Sequence, residues 1–259
     1  ETAGGTLAVA GTGVTYAFAS GTDGVGSNGT LTLGANGVYS YTLGTTVASG
    51  AVAGANTVNA VETFNYTATD ANGNTVDGTI VVNVVDDIPT AVADTNSVSE
   101  GDTTTGNVLT DGVDDEFGAD GAVTTAPVGG VVGVAFSSDD TTPVSGNLGG
   151  SGVAGDHGTL TLNADGSYSY VSDADDITAN AQDVFVYTIE DADGDLSTVT
   201  LTIDVNNVTL GADNDTVTVY EEALPTGSND TSAAETAGGT LAVAGTGVTY
   251  AFASGTDGV

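Results

Sequence analysis

The sequence contains no lysine, arginine, cysteine, methionine or tryptophan, whereas it has 35 aspartate and glutamate residues and one histidine among 259 residues. Its formal net charge at pH 7 is therefore -35. Because DNA, RNA and anionic lipid surfaces are bound mainly through lysine and arginine, we expect no nucleic-acid partner and no anionic membrane surface as a partner. Phosphate-binding lysines, Schiff bases, arginine fingers and salt bridges from lysine or arginine are excluded as well.

The absence of cysteine excludes disulfides, thiolate catalysis and zinc–thiolate sites. No apolar run approaches the ~20 residues of a membrane-spanning helix, so direct membrane insertion is not expected. Without methionine the sequence has no natural start residue, and we expect it to be part of a longer chain. The apolar fraction of 39% and the slightly positive mean hydropathy of +0.12 nevertheless favour a folded chain over a disordered one.

An internal repeat determines the organisation of the chain. Residues 1–25 recur without any change at 235–259, which gives a period of 234 residues. Within that period GTLTLGANGVYSY resembles GTLTLNADGSYSY 129 residues later, and ETFNYTATDANGN resembles DVFVYTIEDADGD 121 residues later. The offset of 121 also relates Asp94 to Asp215 and Glu100 to Glu221. Two related modules therefore alternate along the chain.

Each module has the size of a β-sandwich domain. We predict one complete module at 88–207. Residues 1–87 are predicted to be the C-terminal part of a split module, and residues 208–259 the N-terminal part of the next copy of that split module.

Strict alternation of apolar and polar residues predicts the strands. In 197–205 the valine, leucine and isoleucine side chains occupy every second position, as in a half-buried strand. Asn36-Gly37 and Asp165-Gly166 separate pairs of such runs and predict tight hairpins. No segment has a helical period, so we predict an all-β protein of tandem Greek-key sandwich modules, immunoglobulin-like or cadherin-like, with almost no helix. The strands predicted for the complete module are 91–99, 106–110, about 130–137, 158–163, 167–172, 183–190 and 196–205.

Antiparallel connectivity sorts the acidic loops between the two ends of the complete module. We call the end at which the chain enters the proximal pole and the opposite end the distal pole. The acids expected at the proximal pole are Asp86, Asp87, Asp111, Asp114, Asp115, Glu116, Asp120, Asp191, Asp193 and Asp195. Those expected at the distal pole are Glu100, Asp102, Asp173, Asp175 and Asp176. Without a cation the proximal acids would repel one another strongly.

A tight acidic turn at the proximal pole points to Ca²⁺. Asp191, Asp193 and Asp195 alternate around Gly194, and hard oxygen ligands without histidine or cysteine favour Ca²⁺ over zinc or copper. The turn does not begin an EF-hand, because the twelfth position is Thr202. The alternative interpretation is a solvated acidic turn. The candidate ligands are Asp86, Asp87, Asp111, Asp114, Asp115, Asp191, Asp193 and Asp195.

The split module has a less acidic version of this turn. Asp70, Asn72 and Asn74 occupy the corresponding positions, and Asn206-Asn207 is the corresponding linker. These residues are candidate ligands too. Because affinity for Ca²⁺ depends on the number of charged ligands, we predict a weaker site here.

Three segments carry a family resemblance: GTLTLNADGSYSYV, FVYTIEDADGD and GNVLTDGVDDEFGADG. They resemble the VCBS-type and related type I secretion repeats of giant bacterial RTX adhesins, and the resemblance extends over nearly the whole chain. It implies immunoglobulin-like extender domains made rigid by Ca²⁺, secreted and displayed on the bacterial cell surface. It also implies that Asp86, Asp87, Asp191, Asp193 and Asp195 are interdomain ligands, so that calcium-bridged linkers join neighbouring modules. The Asn-rich turn and the complete lack of lysine and arginine depart from the family pattern.

Three classes of function are compatible with these features. The first is an extender in a surface adhesin, acting as a spacer in surface attachment or biofilm. The second is a self-assembling extracellular filament or surface layer, and the sequence leaves lateral self-association open. The third is a ligand-binding or enzymatic domain. It is not expected, because His157 has no nucleophile near it in sequence and duplication suits a spacer better than a specific site.

Overall fold

The computed structural model describes residues 1–48, 57–211, 213–221, 224–229, 236–243 and 248–252. They belong to two compact units, Glu1–Val205 and Asn206–Val259. The described residues form fourteen β-strands and no α-helix, which confirms the predicted all-β class. In this part of the chain no helix has the length and apolar character that crossing a membrane would require.

The described residues of 1–87 form a sandwich in which six strands are seen. Its two sheets have the strand orders β1-β4-β3 and β2-β5-β6. Leu31, Tyr41, Phe64, Ile80 and Val82 form the core between the sheets. The strands are β1 (Thr2–Thr6), β2 (Thr15–Phe18), β3 (Gly29–Leu33), β4 (Val38–Leu43), β5 (Thr57–Thr69) and β6 (Thr75–Val85).

Residues 88–205 form a larger sandwich of eight strands. The strands are β7 (Asp94–Ser99), β8 (Thr103–Asn107), β9 (Val131–Phe136), β10 (Val153–Ala154), β11 (Gly158–Leu162), β12 (Ser167–Ser172), β13 (Ala181–Glu190) and β14 (Leu196–Asn206). The sheet orders are β10-β11-β12-β8 and β7-β14-β13-β9. Phe185, Tyr187, Leu201 and Ile203 lie in the core between them and are almost completely buried.

The predicted alternation and hairpins are present. Leu201, Ile203 and Val205 of β14 are buried, while the residues between them are partly exposed. The Asp165-Gly166 and Asn36-Gly37 turns connect β11 to β12 and β3 to β4. Gly166 has φ +80° and Gly37 has φ +83°, which are values that L side chains rarely adopt.

The predicted second strand of the complete module was misplaced. It was expected at 106–110, but β8 ends at Asn107. The Asn107 side chain accepts a hydrogen bond from the Leu109 amide, and its carbonyl accepts one from Asp111, so the chain turns there instead of continuing the ladder. Smaller differences are a later start of β7, an earlier start of β13 and the short, unpredicted β10.

Residues 206–259 are a separate unit. Apart from Asn206, the last residue of β14, none of the described residues in this unit belongs to a named strand. The Tyr250 hydroxyl accepts a hydrogen bond from the Val243 amide at 3.2 Å, the same local contact that Tyr16 makes with Val9 at 2.8 Å. Residues 230–235, 244–247 and 253–259 lie outside the described part, so the assignment of 208–259 to the next split module stays a prediction.

Candidate metal centre

The acidic turn between β13 and β14 is shaped by one of its own carboxylates. Asp191 Oδ1 accepts hydrogen bonds from the amides of Gly194 at 3.0 Å and Asp195 at 2.8 Å. Gly194 has φ +105°, a backbone conformation that glycine adopts readily and that the sharp bend requires. The Asp191 amide also donates to the Asp195 carbonyl at 3.1 Å, and this bond closes the turn. The remaining acidic oxygens are thereby held together at the proximal pole.

Three carboxylates from two parts of the chain meet at this turn. One oxygen from each of Asp86, Asp193 and Asp195 lies within 4.8 Å of the other two. Asp86 follows β6 in the linker between the sandwiches, so the group joins the linker to the β13–β14 turn. Asp195 is only 1% exposed and Asp86 only 6% exposed.

Several carboxylate oxygens of the linker and the acidic turn accept no hydrogen bond from an amide or hydroxyl of a described residue. No amide or hydroxyl of a described residue donates to Asp86 Oδ2, Asp191 Oδ2 or either Asp195 oxygen, although these atoms are buried. A buried ionised carboxylate without a partner is costly. The chain has no lysine or arginine to supply the missing positive charge. This donor set fits a hard divalent cation such as Ca²⁺, which takes oxygen ligands.

Burial also makes these carboxyl groups harder to ionise. The pKa of Asp191 is raised to about 6, first by burial and then by its hydrogen-bonded neighbour Asp193. The pKa of Asp195 is also raised to about 6, by burial, by the adjacent Asp86 carboxyl, and by the charges of Asp193, Asp86 and Asp120. Protons and a cation therefore compete for the same oxygens.

Four other predicted ligands at the proximal pole have different surroundings. Asp87 accepts a hydrogen bond from the Ala119 amide at 2.9 Å and fixes the loop that follows β8. Asp111 accepts one from the Asn107 amide at 2.7 Å, and Asp114 is exposed. Asp115 is buried and accepts a hydrogen bond from the Val92 amide at 2.7 Å. None of the four belongs to the three-carboxylate group.

Asp115 belongs to a second buried acidic network. The Tyr187 hydroxyl lies 3.0 Å from Asp115 Oδ2 and 3.2 Å from Asp94 Oδ2. The pKa of Asp94 is raised to about 7, mainly by burial and further by the charges of Asp115 and Asp111, although the Tyr187 hydrogen bond opposes the shift. Burial raises the pKa of Asp115 as well. Asp94 was not among the predicted ligands, although its alternation with Asn96 and Val98 in β7 indicates an inward-facing side chain.

The corresponding turn of the first sandwich is exposed and closed on itself. Asp70 Oδ1 accepts hydrogen bonds from the amides of Asn72 at 2.9 Å and Asn74 at 2.8 Å. Asp70 Oδ2 accepts one from the Asn74 side chain at 2.9 Å. These hydrogen bonds with Asn74 and Asn72 lower the pKa of Asp70. The turn thus has the same backbone form as the acidic turn, but two amides replace two carboxylates.

The distal pole contains ordinary polar contacts. His157 Nδ1 lies 2.7 Å from Asp176 Oδ2, and this hydrogen bond is the main cause that raises the pKa of His157. Glu100 accepts a hydrogen bond from the Ile177 amide, as expected if both loops are at one end. The buried Asp183 accepts hydrogen bonds from the His157 amide and from the Tyr170 hydroxyl. The polar side chains at this pole thus hold the loops in place through hydrogen bonds.

Residues 86–207 match the family model of the bacterial cadherin-like domain. Among solved structures, the Drosophila N-cadherin EC1-4 fragment is 11% identical, with 76% of this chain and 42% of that chain covered and a TM-score of 0.30. The protocadherin gammaB7 EC3-6 cis-dimer is 16% identical, with 79% and 43% covered and a TM-score of 0.27. The tandem Ig repeats of Dlar are 10% identical, with 75% and 82% covered and a TM-score of 0.27.

The chain spans less than half the length of the two cadherin structures. No curated protein sequence matches it. The family match favours an adhesion or spacer module over an enzyme, and it begins at Asp86, the linker carboxylate of the candidate metal centre. Residues 86–207 are thus similar to the bacterial cadherin-like domain.

Proposed function

We propose that this chain is a calcium-rigidified extender segment of a secreted adhesin of the VCBS and RTX type, displayed on the bacterial cell surface. Its role is to hold a binding tip away from the cell during surface attachment or biofilm formation. The observation that carries the proposal is the group of Asp86, Asp193 and Asp195, in which Asp86 Oδ2 and both Asp195 oxygens are buried without a donor from a described residue, in a chain that has no lysine or arginine.

The position of this group explains how Ca²⁺ would stiffen the chain. Asp86 belongs to the linker after β6, whereas Asp193 and Asp195 belong to the β13–β14 turn of the second sandwich. A cation held by all three would tie the linker to that turn. Asp191 would be a further ligand through its buried Oδ2, to which no described amide or hydroxyl donates. Asp87 would hold the neighbouring loop through the hydrogen bond that it accepts from the Ala119 amide. The bound ion would supply the positive charge that these carboxylates lack.

The calcium-free state should be less stable and less rigid at this linker. Binding to the folded state alone adds RT ln(1 + [L]/Kd), or about 2.7 kcal/mol at a hundredfold excess over Kd. The full chain should therefore melt at a higher temperature in millimolar Ca²⁺ than in chelator. Small-angle scattering should show a narrower distribution of shapes with Ca²⁺.

A matched pair of variants separates a specific site from general charge screening. Asp195→Asn removes a buried carboxylate of the group, whereas Asp140→Asn removes one exposed negative charge elsewhere. We expect Asp195→Asn to lose most of the calcium-dependent stabilisation and Asp140→Asn to retain it. Equal responses of the two variants, or identical melting of the unmodified chain with and without Ca²⁺, would refute the proposal.

A further inference from the structure

The hydroxyl group of Tyr187 is surrounded by more acceptors than it can satisfy. Four oxygens lie at hydrogen-bond distance from it: Asp115 Oδ2 at 3.0 Å, and Asp94 Oδ2, the Val92 carbonyl and the Val108 carbonyl at 3.2 Å each. A tyrosine hydroxyl has one hydrogen to donate, and an ionised carboxylate can only accept. A single hydrogen therefore cannot satisfy both carboxylate oxygens.

Burial makes this shortage of hydrogens costly. Tyr187 is fully buried, Asp94 is 5% exposed and Asp115 is 8% exposed. Two ionised carboxylates that face one hydroxyl oxygen in the protein interior repel each other, and an unpaired buried charge is destabilising. A second hydrogen on one of the two carboxyls removes the conflict. That carboxyl then donates to the tyrosine oxygen, while the tyrosine donates to the other carboxylate.

The titratable groups around Asp94 offer no positive charge. They are Tyr187 of β13, Tyr168 of β12, and Asp111 and Asp115 of the loop after β8. Asp114 acts on Asp115 in the same way. Each of these groups is an acid, and the chain has no lysine or arginine. The pKa of Asp94 is accordingly raised to about 7, mainly by burial, so the surroundings favour a retained proton.

The residues that follow Asp115 hold the linker between the sandwiches. Glu116 exchanges two backbone hydrogen bonds with Thr90, at 2.7 and 3.0 Å. The Ala119 amide donates to the Asp87 carboxylate at 2.9 Å. The Asp115 side chain thus lies one residue before a segment that fixes the linker, next to the linker carboxylate of the candidate metal centre.

The same segment also holds the acidic turn. The Ala192 amide donates to the Gly121 carbonyl at 2.9 Å, and the Val123 amide donates to the Glu190 carbonyl at 3.0 Å. We call residues 116–123 the bracing loop. This loop contacts both halves of the candidate metal centre, the linker and the β13–β14 turn. Its position therefore determines how closely the two halves approach each other.

We propose that Asp94 and Asp115 share one proton at the Tyr187 hydroxyl, and that this protonated group positions the bracing loop for Ca²⁺ binding at the candidate metal centre. Neither carboxyl belongs to the three-carboxylate group, so both act through the loop and not as ligands. Loss of the proton makes the two carboxylates repel each other, which displaces the bracing loop and weakens calcium binding. This coupling rests on the calcium site of the proposed function.

The direction of the pH effect separates positioning from simple charge attraction. An additional negative charge near the metal centre would by itself strengthen calcium binding. Positioning through the loop has the opposite effect, because calcium affinity falls as the pH rises through about 7 and the shared proton is lost. At lower pH the affinity falls as well, since protons compete at Asp191 and Asp195. The unmodified chain should therefore bind Ca²⁺ most tightly near neutral pH.

Two variants replace the shared proton by a permanent donor, since the amide of Asp94→Asn or Asp115→Asn donates to the tyrosine oxygen at any pH. The control is Asp140→Asn, which removes one exposed charge. Isothermal titration of the full chain with Ca²⁺ at pH 6 and pH 9 gives the ratio of affinities between each variant and the unmodified chain. Proton competition at the metal centre cancels in this ratio. From pH 6 to pH 9 the ratio should increase about fivefold or more for the two variants and stay constant for the control. Circular dichroism checks that each variant is folded, and either of the two is sufficient. A ratio that is constant or decreases would overturn the proposal.

The shared proton is tested separately, in chelator. NMR spectroscopy of the full chain follows the carboxyl carbons of Asp94 and Asp115 as the pH is raised. We expect one of the two carboxyls to keep its proton to about neutral pH, well above the ordinary aspartate pKa of about 4. Ionisation of both carboxyls in that ordinary range, in a folded chain, would overturn the proposal. Absence of calcium binding at every pH would refute the proposed function and the coupling, whereas tight binding with a constant affinity ratio would refute the coupling alone.

Discussion

The two sandwiches of residues 1–205 share one network and differ in another. In the first, the Tyr41 hydroxyl donates to the buried Glu62 at 2.8 Å, and in the second Tyr170 donates to the buried Asp183 at 2.6 Å. The second sandwich also has β7, which pairs with β14, whereas no strand of the described residues 1–48 and 57–87 pairs with the equivalent edge of β6. The tyrosine–carboxylate pair is therefore common to both sandwiches, whereas the hydrogen bond from Tyr187 to Asp94 of β7 belongs to the second.

The two turns after the long β5 and β13 strands differ in a similar way. Asp191 and Asp70 each fold their turn by accepting backbone amides, so the backbone form depends on that first carboxylate. Asp195 is buried and close to Asp86 and Asp193, while Asn74 is exposed. The turn is therefore a shared structural element, and two further carboxylates convert it into a candidate metal centre.

The largest expected effect concerns the two cores. Phe185→Ala should destabilise the second sandwich by about 3–5 kcal/mol, because Phe185 is completely buried among packed neighbours. Phe64 lies at the position equivalent to Phe185, and Phe64→Ala should cost less, toward the lower end of that range, because the buried core around Phe64 is smaller. Calorimetry of the full chain measures both. A larger loss of stability for Phe64→Ala would contradict the difference between the two cores.

The tyrosine pair sharpens the comparison. Tyr187→Phe removes the hydroxyl between Asp94 and Asp115 and should cost about 1–3 kcal/mol, the usual range for leaving a buried polar group without its partner. Tyr66→Phe, at the equivalent position of the first sandwich, should change stability by less than about 0.5 kcal/mol, because Tyr66 is only partly buried and its hydroxyl makes no hydrogen bond to a described residue. Chemical denaturation followed by circular dichroism compares the two variants. Equal losses would show that Tyr66 already has a buried partner.

The acidic network at Tyr187 should make stability depend on pH. The pKa of Asp94 in the folded protein is about 7, above its unfolded value, so the folded state binds the extra proton. Its contribution to stability is present below pH ~4 and is lost as the pH rises through ~7. Asp94→Asn should remove this dependence and stabilise the chain at pH 8 by roughly 1–4 kcal/mol, since one pKa unit is about 1.4 kcal/mol.

Denaturation curves across this pH range test that expectation. The pKa values of Asp191 and Asp195 are raised, as is that of Asp94, so these two groups also make stability depend on pH. The curves should be measured in chelator, because Ca²⁺ would change the ionisation of Asp191 and Asp195. The difference in the free energy of unfolding between the unmodified chain and Asp94→Asn gives the contribution of Asp94 alone. A difference that is constant from pH 4 to pH 8 would contradict a raised pKa at this position.

Sequence patterns predicted the regular parts of the fold because burial alternates along strands and Asp-Gly or Asn-Gly turns are local. They also predicted the Asp191–Asp195 turn, and antiparallel connectivity predicted Asp86 at the same pole. The loop after β8 was harder to predict, since its apolar and polar residues do not alternate with a regular period. Its side chains find partners far away in sequence, as Asp115 does with Val92 and Tyr187, and no local pattern distinguishes such an acid from a ligand.

The smallest expected effect concerns the exposed turn. Asp70→Asn should change calcium affinity of the full chain much less than Asp195→Asn, because Asp70 is only half-buried and its oxygens accept hydrogen bonds from Asn72 and Asn74. Ligand charge is a main determinant of calcium affinity. Isothermal titration with Ca²⁺ compares the two variants. A stronger loss with Asp70→Asn would place the tighter site in the first sandwich.

The most direct test of the calcium proposal is a crystal structure of the full chain grown with Ca²⁺, with anomalous scattering recorded. We predict an anomalous peak at the three-carboxylate group, with oxygens of Asp86, Asp193 and Asp195 at about 2.3–2.6 Å from it. Asp191 should be a further ligand through its Oδ2. A well-ordered group at millimolar Ca²⁺ without such a peak would contradict the account.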